Sequence, residues 1–261
     1  LDNLVAYQTF YPVADELETA GIQCIQNVSQ QKFNLAIVSI PKSKKLARHM
    51  IYSATKAVPE GLIIVDGDKT SGIESIIRDL KKHTKITNVI SKAHGKMAWF
   101  ETPTNLDLYK DIPTKIEGGF ETQAGVFSSD GVDPASKLLA HFISQDLSGT
   151  GADLGGGWGY LSVKALETNS ISELHFVEAD LSALNVARNN INDQRVMFYW
   201  YDALKWKAPK LLDFIIMNPP FHYVGRAMPS LGADFVKVAS RNLKKSGTLW
   251  MVANRHLPYE D

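Results

Sequence analysis

The stretch "ADLGGGWGYLSV", Ala152 to Val163, decides the fold. A buried strand runs into four glycines, Gly155, Gly156, Gly157 and Gly159, and a helix follows at once. Glycines in such a turn let the backbone come close to a nucleotide-like ligand and point a helix N-terminus at it. A tight strand-to-helix turn also needs glycine for purely steric reasons, so the turn does not establish a ligand by itself. Working outward, five apolar runs read as strands: 151–154, 174–178, 196–201, 214–217 and 248–253. Helical periodicity falls near 160–166, 181–191 and 233–243, between most of these runs. This alternation is the pattern of βαβ units around a parallel sheet, so the fold class is α/β and Rossmann-like.

Glu178 ends the second strand, 25 residues after Asp153, where a carboxylate can accept two hydrogen bonds from a ribose diol. That spacing fits NAD as well as S-adenosylmethionine. Asp153 separates the two, because dinucleotide turns usually read G-x-G-x-x-G without an acid, whereas a cofactor carrying a sulfonium and an ammonium suits acidic groups. Asp202, at the end of the third strand, stands where an adenine amino group would lie. It can equally cap the turn that follows.

"NPPFH", Asn218 to His222, ends the fourth strand, where open α/β folds place their ligand crevice. Pro219 and Pro220 fix the backbone and remove two donors. The Asn218 side-chain oxygen and the Pro219 carbonyl can then accept hydrogen bonds from an amino group, and Phe221 offers a flat face for a base. In a plain turn, Asn218 would cap and Phe221 would pack. His222 shapes the pocket in this reading, because an amino group that attacks a sulfonium can lose its proton after transfer.

The first part of the chain has strands at 33–40, 62–65, 87–91 and 96–100. Helices lie between, at 43–58 and around Ile73, Ile76, Ile77 and Leu80. "LAIVSIPKSK", a helix and "GLIIVDG" parallel "DFIIMNPPFH", a helix and "GTLWMVAN", which suggests a duplication. No glycine-rich turn precedes Phe33, so the first copy lacks a cofactor half. Pro103, Asp111, Pro113, Gly118 and Gly119 break both periodicities. The expected domains are therefore 1–112, a degenerate auxiliary copy, and 113–261, the catalytic copy. About 40 residues that would complete the second sheet are expected beyond this sequence.

Composition narrows the function classes. The 261 residues are 44% hydrophobic and 21% charged, with 28 Lys plus Arg against 28 Asp plus Glu. There is thus no global basic field, and any nucleic acid must be held by a local patch. Lys42, Lys44, Lys45 and Arg48 form one such group, and Lys81, Lys82 and Lys85 another, although groups of this size are commonly solvated helix faces. A lone cysteine, Cys24, argues for a reducing, cytoplasmic setting and against a zinc site. No apolar run is long enough to span a bilayer.

"DLGGGWG", "FVEADLSAL" and "MNPPFH" together resemble the amino-directed S-adenosylmethionine-dependent methyltransferases. More narrowly, "GVFSSDGVDPASKLL" (125–139), "NPPFH" and "VANRHLPYE" (252–260) resemble the ribosomal RNA small subunit methyltransferase C family, guanine-N2 methyltransferases of 16S rRNA. "DGDKTSGIES" (66–75) is similar to that family's degenerate N-terminal copy. The resemblance implies a duplicated methyltransferase fold in which only the C-terminal copy binds S-adenosylmethionine and the first copy assists folding or RNA docking. It also implies a protein that acts on 16S rRNA or the small ribosomal subunit; a monomer without metal is expected. By the same resemblance Asp153, Gly155, Gly157 and Glu178 bind the cofactor, and Asn218, Pro219, Pro220 and Phe221 form the catalytic motif; Asp202 and Asn218 are expected to contact the cofactor as well. Glu178 stands where the family usually has Asp, Gly156 replaces a frequent cysteine, and Trp158 replaces a small residue. Methylation of adenine N6 or of a glutamine amide, and a non-catalytic RNA-binding role, are the alternatives.

Overall fold

The computed structural model describes residues 3–28, 31–143, 146–220, 222–223, 226–227 and 229–253. The chain opens with β1 (Val5–Tyr7), α1 (Tyr11–Thr19) and β2 (Gln23–Ile25), and β1 and β2 pair in a two-stranded ribbon. These short elements precede a four-stranded unit. It contains β3 (Leu35–Ser39), α2 (Lys44–Ala57), β4 (Leu62–Asp68), α3 (Ile73–Leu80), β5 (Asn88–Lys92) and β6 (Gly95–Glu101), with strand order β3-β4-β6-β5. The Ser43 hydroxyl starts α2 by accepting the Leu46 N–H, satisfying one of the donors a helix start leaves over. α2 buries Ala47, Ile51 and Ala54, α3 buries Ile73, Ile76 and Leu80, and both pack on Ile63, Val65, Ala98 and Phe100 of the sheet. β3 and β4 run parallel, while β5 and β6 form the expected antiparallel hairpin. Its two-residue turn is Ala93-His94, both at positive φ, the backbone twist that a tight hairpin needs.

The remaining elements are β7 (Thr114–Lys115), β8 (Glu121–Thr122), α4 (Pro134–Ile143), β9 (Gly149–Leu154), α5 (Tyr160–Ala165), β10 (Ile171–Glu178) and α6 (Leu181–Asn190). After them come β11 (Val196–Trp200), β12 (Leu212–Met217), β13 (His222–Tyr223), β14 (Arg226–Ala227), α7 (Pro229–Asn242) and β15 (Leu243–Met251). β15 thus begins at Leu243, earlier than the expected Thr248. The central sheet has order β11-β10-β9-β12-β15, and every pairing in it is parallel. Its three inner strands, β9, β10 and β12, are buried along most of their length, whereas the edge strands β11 and β15 are partly exposed. Along β12 the side chains alternate: Phe214 and Ile216 join Leu139, Ile143, Leu161 and Leu184 on one face, while Ile215 and Met217 join Phe235, Val238 and Ala239 on the other. The order of connection reverses between β9 and β12, so the carboxyl ends of these two strands flank the crevice that such sheets open to ligands.

Two compact units result, Ile25–Pro113 with Gln123–Gly125, and Leu1–Cys24 with Thr114–Thr122 and Val126–Asp261. The first 24 residues therefore pack with the C-terminal unit, whereas the sequence reading assigned them to the N-terminal domain. Each unit contains a strand, a helix and a parallel strand in succession, β3-α2-β4 and β12-α7-β15, matching the internal repeat seen in the sequence. Among the described residues no helix is long and apolar enough to cross a membrane.

Candidate functional site

β9 delivers its carboxyl end into the glycine turn. Gly155, Gly157 and Gly159 adopt φ of 72°, 59° and 95°, a region that other residues enter only with strain. A Cβ on Gly157 would meet nothing within 4 Å, so its backbone stands open. Gly156 has a different reason to be glycine. A Cβ there would come within 2.3 Å of the ring of Phe176, a fully buried core residue, so the small side chain at 156 and the large one at 176 are complementary. The Gly155 N–H donates to the Val177 carbonyl at 2.8 Å, tying the turn to the end of β10.

Two carboxyls flank this turn. Asp153 is completely buried; its Oδ2 accepts the Ser162 hydroxyl at 2.7 Å, and its Oδ1 is buried with no partner among the described residues. Half-buried Glu178 accepts the Gly157 N–H through Oε2 at 2.7 Å and the Asp180 N–H through Oε1 at 2.8 Å. Each carboxylate oxygen has a second lone pair, so Glu178 can hold the turn and still accept from a ligand hydroxyl. Burial pushes the Asp153 carboxyl up to about 7, with the nearby Glu178 adding to the shift and the Ser162 hydroxyl opposing it. Burial likewise pushes Glu178 up to about 7 against the pull of the two N–H donors. A buried carboxylate oxygen without a partner, beside a second carboxyl on the same turn, fits a ligand that brings a cationic group and a diol, as S-adenosylmethionine does.

These raised values set a sign for pH dependence. A carboxyl whose folded pKa lies above its unfolded value contributes stability at low pH, and that contribution is lost as pH rises through about 7. The free protein therefore loses melting temperature relative to an Asp153→Asn variant, which cannot ionise, between about pH 5 and about pH 8. Thermal melts of both proteins across that range check this, and parallel curves would count against it.

Asn218 follows β12, next to the carboxyl end of β9. Its side-chain nitrogen donates to Asp133 Oδ2 at 3.0 Å and to Ser136 Oγ at 2.9 Å. A carboxylate only accepts, so Asp133 fixes which way the amide points and leaves the Asn218 carbonyl oxygen as an acceptor. Asp133 also caps α4, accepting the Ser136 N–H at 2.8 Å, as expected from Asp133-Pro134. Asp133, Ser136, Gly155, Gly157, Trp158 and Asn218 all line one narrow cleft, open to solvent. Pro219 is buried and Pro220 exposed, while Phe221 and the side chain of His222 lie outside the described residues.

The structure thus places Gly155, Gly157 and Asn218 on one cleft, with Glu178 bonded to Gly157 and Asp153 buried behind the turn, neither of these carboxyls lining the cleft itself. Asp202 is engaged otherwise, because its Oδ1 caps a turn by accepting the Leu204 N–H at 2.8 Å. The sequence reading missed the hold of Asp133 and Ser136 on Asn218, and it missed the role of Trp158. The Trp158 ring is buried against Phe120 and Tyr160, and its Nε1 donates to the Phe127 carbonyl at 2.9 Å, which pins the 116–132 segment beside the glycine turn. Basic residues in the first unit are partly engaged internally: Arg48 pairs with buried Asp79 at 2.7 Å, and Lys45 with Asp111 at 3.0 Å. His175 is buried and bonds the Tyr199 hydroxyl at 3.0 Å, a structural role. Among the described residues no group of three His, Cys, Asp or Glu could hold a metal.

Comparison with known proteins bears on the same residues. The family model described as methyltransferase small domain matches 117–261, and that described as methyltransferase small domain N-terminal matches 4–107. A Shewanella loihica protein named ribosomal RNA small subunit methyltransferase C is 30% identical, over 94% of this chain and 75% of its own length. An Acinetobacter baylyi protein of the same name is 28% identical, over 85% and 70%. The solved structure of a T. thermophilus 16S rRNA N2 G1207 methyltransferase, in complex with AdoMet and guanosine, superimposes with a TM-score of 0.77. It is 22% identical and covers 98% of this chain and 75% of that one, which shows a shared fold.

Proposed function

Because the chain belongs to the ribosomal RNA small subunit methyltransferase C family, we propose that its C-terminal unit methylates the exocyclic N2 amino group of a guanine in 16S ribosomal RNA. One observation carries the reading: Asn218 is oriented by Asp133 and Ser136 so that its carbonyl oxygen is the free acceptor, in the same cleft as Gly155 and Gly157. S-adenosylmethionine supplies a methyl group on a positively charged sulfur that departs as a neutral thioether. The Asn218 oxygen and the Pro219 carbonyl accept the two N–H bonds of the guanine amine. They turn its lone pair out of conjugation and toward the methyl carbon. As the N–C bond forms and the C–S bond breaks, the nitrogen becomes acidic and releases a proton to solvent, so the residues here need supply no strong base. Glu178 and Asp153 hold the cofactor, the first through its ribose and the second through electrostatic attraction. Asp202 serves the adenine end through its second oxygen, and Phe221 stacks on the base. A paired guanine has to be flipped out to reach the cleft.

The chain acts in the cytoplasm as a monomer on 16S rRNA or the small subunit, with an auxiliary unit of about 25–113 and a catalytic unit that takes in residues 1–24. Transfer of labelled methyl from S-adenosylmethionine to small subunits and to free 16S rRNA, followed by digestion to nucleosides, tests the reading. Label is expected in N2-methylguanosine. Label in adenine or in protein, or none, would overturn it.

A further inference from the structure

The N-terminal segment is clamped onto the two strand ends that present Glu178 and Asp202. The Tyr11 N–H donates to the Ala179 carbonyl at 2.8 Å, the Leu181 N–H donates to the Thr9 carbonyl at 2.8 Å, and Phe10 forms an antiparallel bridge with Asp180. Trp200 Nε1 donates to both the Thr9 and Ala179 carbonyls, at 3.0 and 2.9 Å. The Tyr11 ring packs edge-on to Trp200 at 5.3 Å and against Tyr201 at 4.7 Å, and Asp15 pairs with Lys205 at 2.8 Å. The segment thus touches the connection leaving β10 and the connection leaving β11. The link to the site is direct, because Asp180, the residue bridged to Phe10, gives the N–H that holds Glu178 Oε1. Tyr201, under the Tyr11 ring, donates its N–H to the Glu178 carbonyl at 3.1 Å and directly precedes Asp202.

We propose that Thr9–Asp15 is a clasp that sets the adenosine half of the cofactor site, with Tyr11 as the positioning residue that anchors it. This rests on the assignment of Glu178 to the cofactor. Without the clasp, Asp180 and Tyr201 can drift, and Glu178 must be ordered when the ligand binds, a cost that appears as lost affinity.

The test uses the whole chain with Tyr11→Ala and Tyr11→Phe. Calorimetry with S-adenosylmethionine is expected to show about tenfold weaker binding for Tyr11→Ala and near-normal binding for Tyr11→Phe, which keeps the ring. The KM for cofactor rises by a similar factor, while kcat and the KM for RNA stay within about twofold. A Tyr11→Ala protein with unchanged affinity, or one that loses kcat alone, overturns the clasp. Hydrogen exchange on the unaltered chain gives an answer that needs no variant: added cofactor slows the amides of Tyr11 and Leu181 together with those of Gly157 and Asp180. No slowing at Tyr11 and Leu181 also overturns it. Failure of the unaltered chain to bind S-adenosylmethionine would strike the proposed function instead.

Discussion

Replacing Asn218 by Ala lowers the rate of methyl transfer about 10- to 150-fold, equivalent to roughly 1.5–3 kcal/mol of lost orienting hydrogen bonding. The loss has two sources. The acceptor for the amine disappears, and Asp133 Oδ2 and Ser136 Oγ lose the amide that they hold. An Asp at this position does no better, because its carboxylate would face that of Asp133 where the amide now donates. Cofactor affinity changes little, since Glu178 and Asp153 have no hydrogen bond to Asn218. Single-turnover rates with small subunits, set beside calorimetric cofactor binding, check both halves, and a variant that turns over normally would remove Asn218 from its role.

Replacing Glu178 by Ala acts on binding, weakening S-adenosylmethionine by about 10- to 150-fold. The carboxylate holds two backbone N–H groups, those of Gly157 and Asp180, on opposite oxygens. Its loss frees the turn as well as removing the acceptors for the ribose. Glu178→Gln falls between, because the amide can accept one of those N–H groups but sets its own donors against the other. Calorimetry on the three proteins gives the order, and an unchanged affinity in Glu178→Ala would take this residue out of the site.

Most of the catalytic unit was legible in the sequence because its inner strands are buried and its helices bury one face. β10 and β12 announce themselves as apolar runs, β9 by the glycine turn it enters, and α4 by its Asp-Pro start. β1, α1 and β2 were not legible. The two strands have three residues each, α1 starts without a side-chain cap, and its partners lie far along the chain. In the glycine run, sequence does not tell a residue that frees the backbone, such as Gly157, from one that makes room for Phe176, as Gly156 does. Asp133 was legible only as a cap, since nothing in the chain order places it beside Asn218, 85 residues later. The turn-capping use of Asp202 was open in the sequence, and its Oδ1 bond to the Leu204 N–H is of that kind.

The clasp also sets an order for making the protein. Trp200 lies 191 residues after Thr9, so a ribosome adding about 5–20 residues per second needs roughly 10–40 s between the two. The whole of 25–113 is synthesised within that interval, while Thr9–Asp15 wait for the 179–205 stretch on which they dock. Contacts this distant in sequence form late in folding because the loop must be closed before they repay its entropy. Residues 9–15 are thus made long before they find their place, and the adenosine half of the site is finished only once residues 178–205 have followed them.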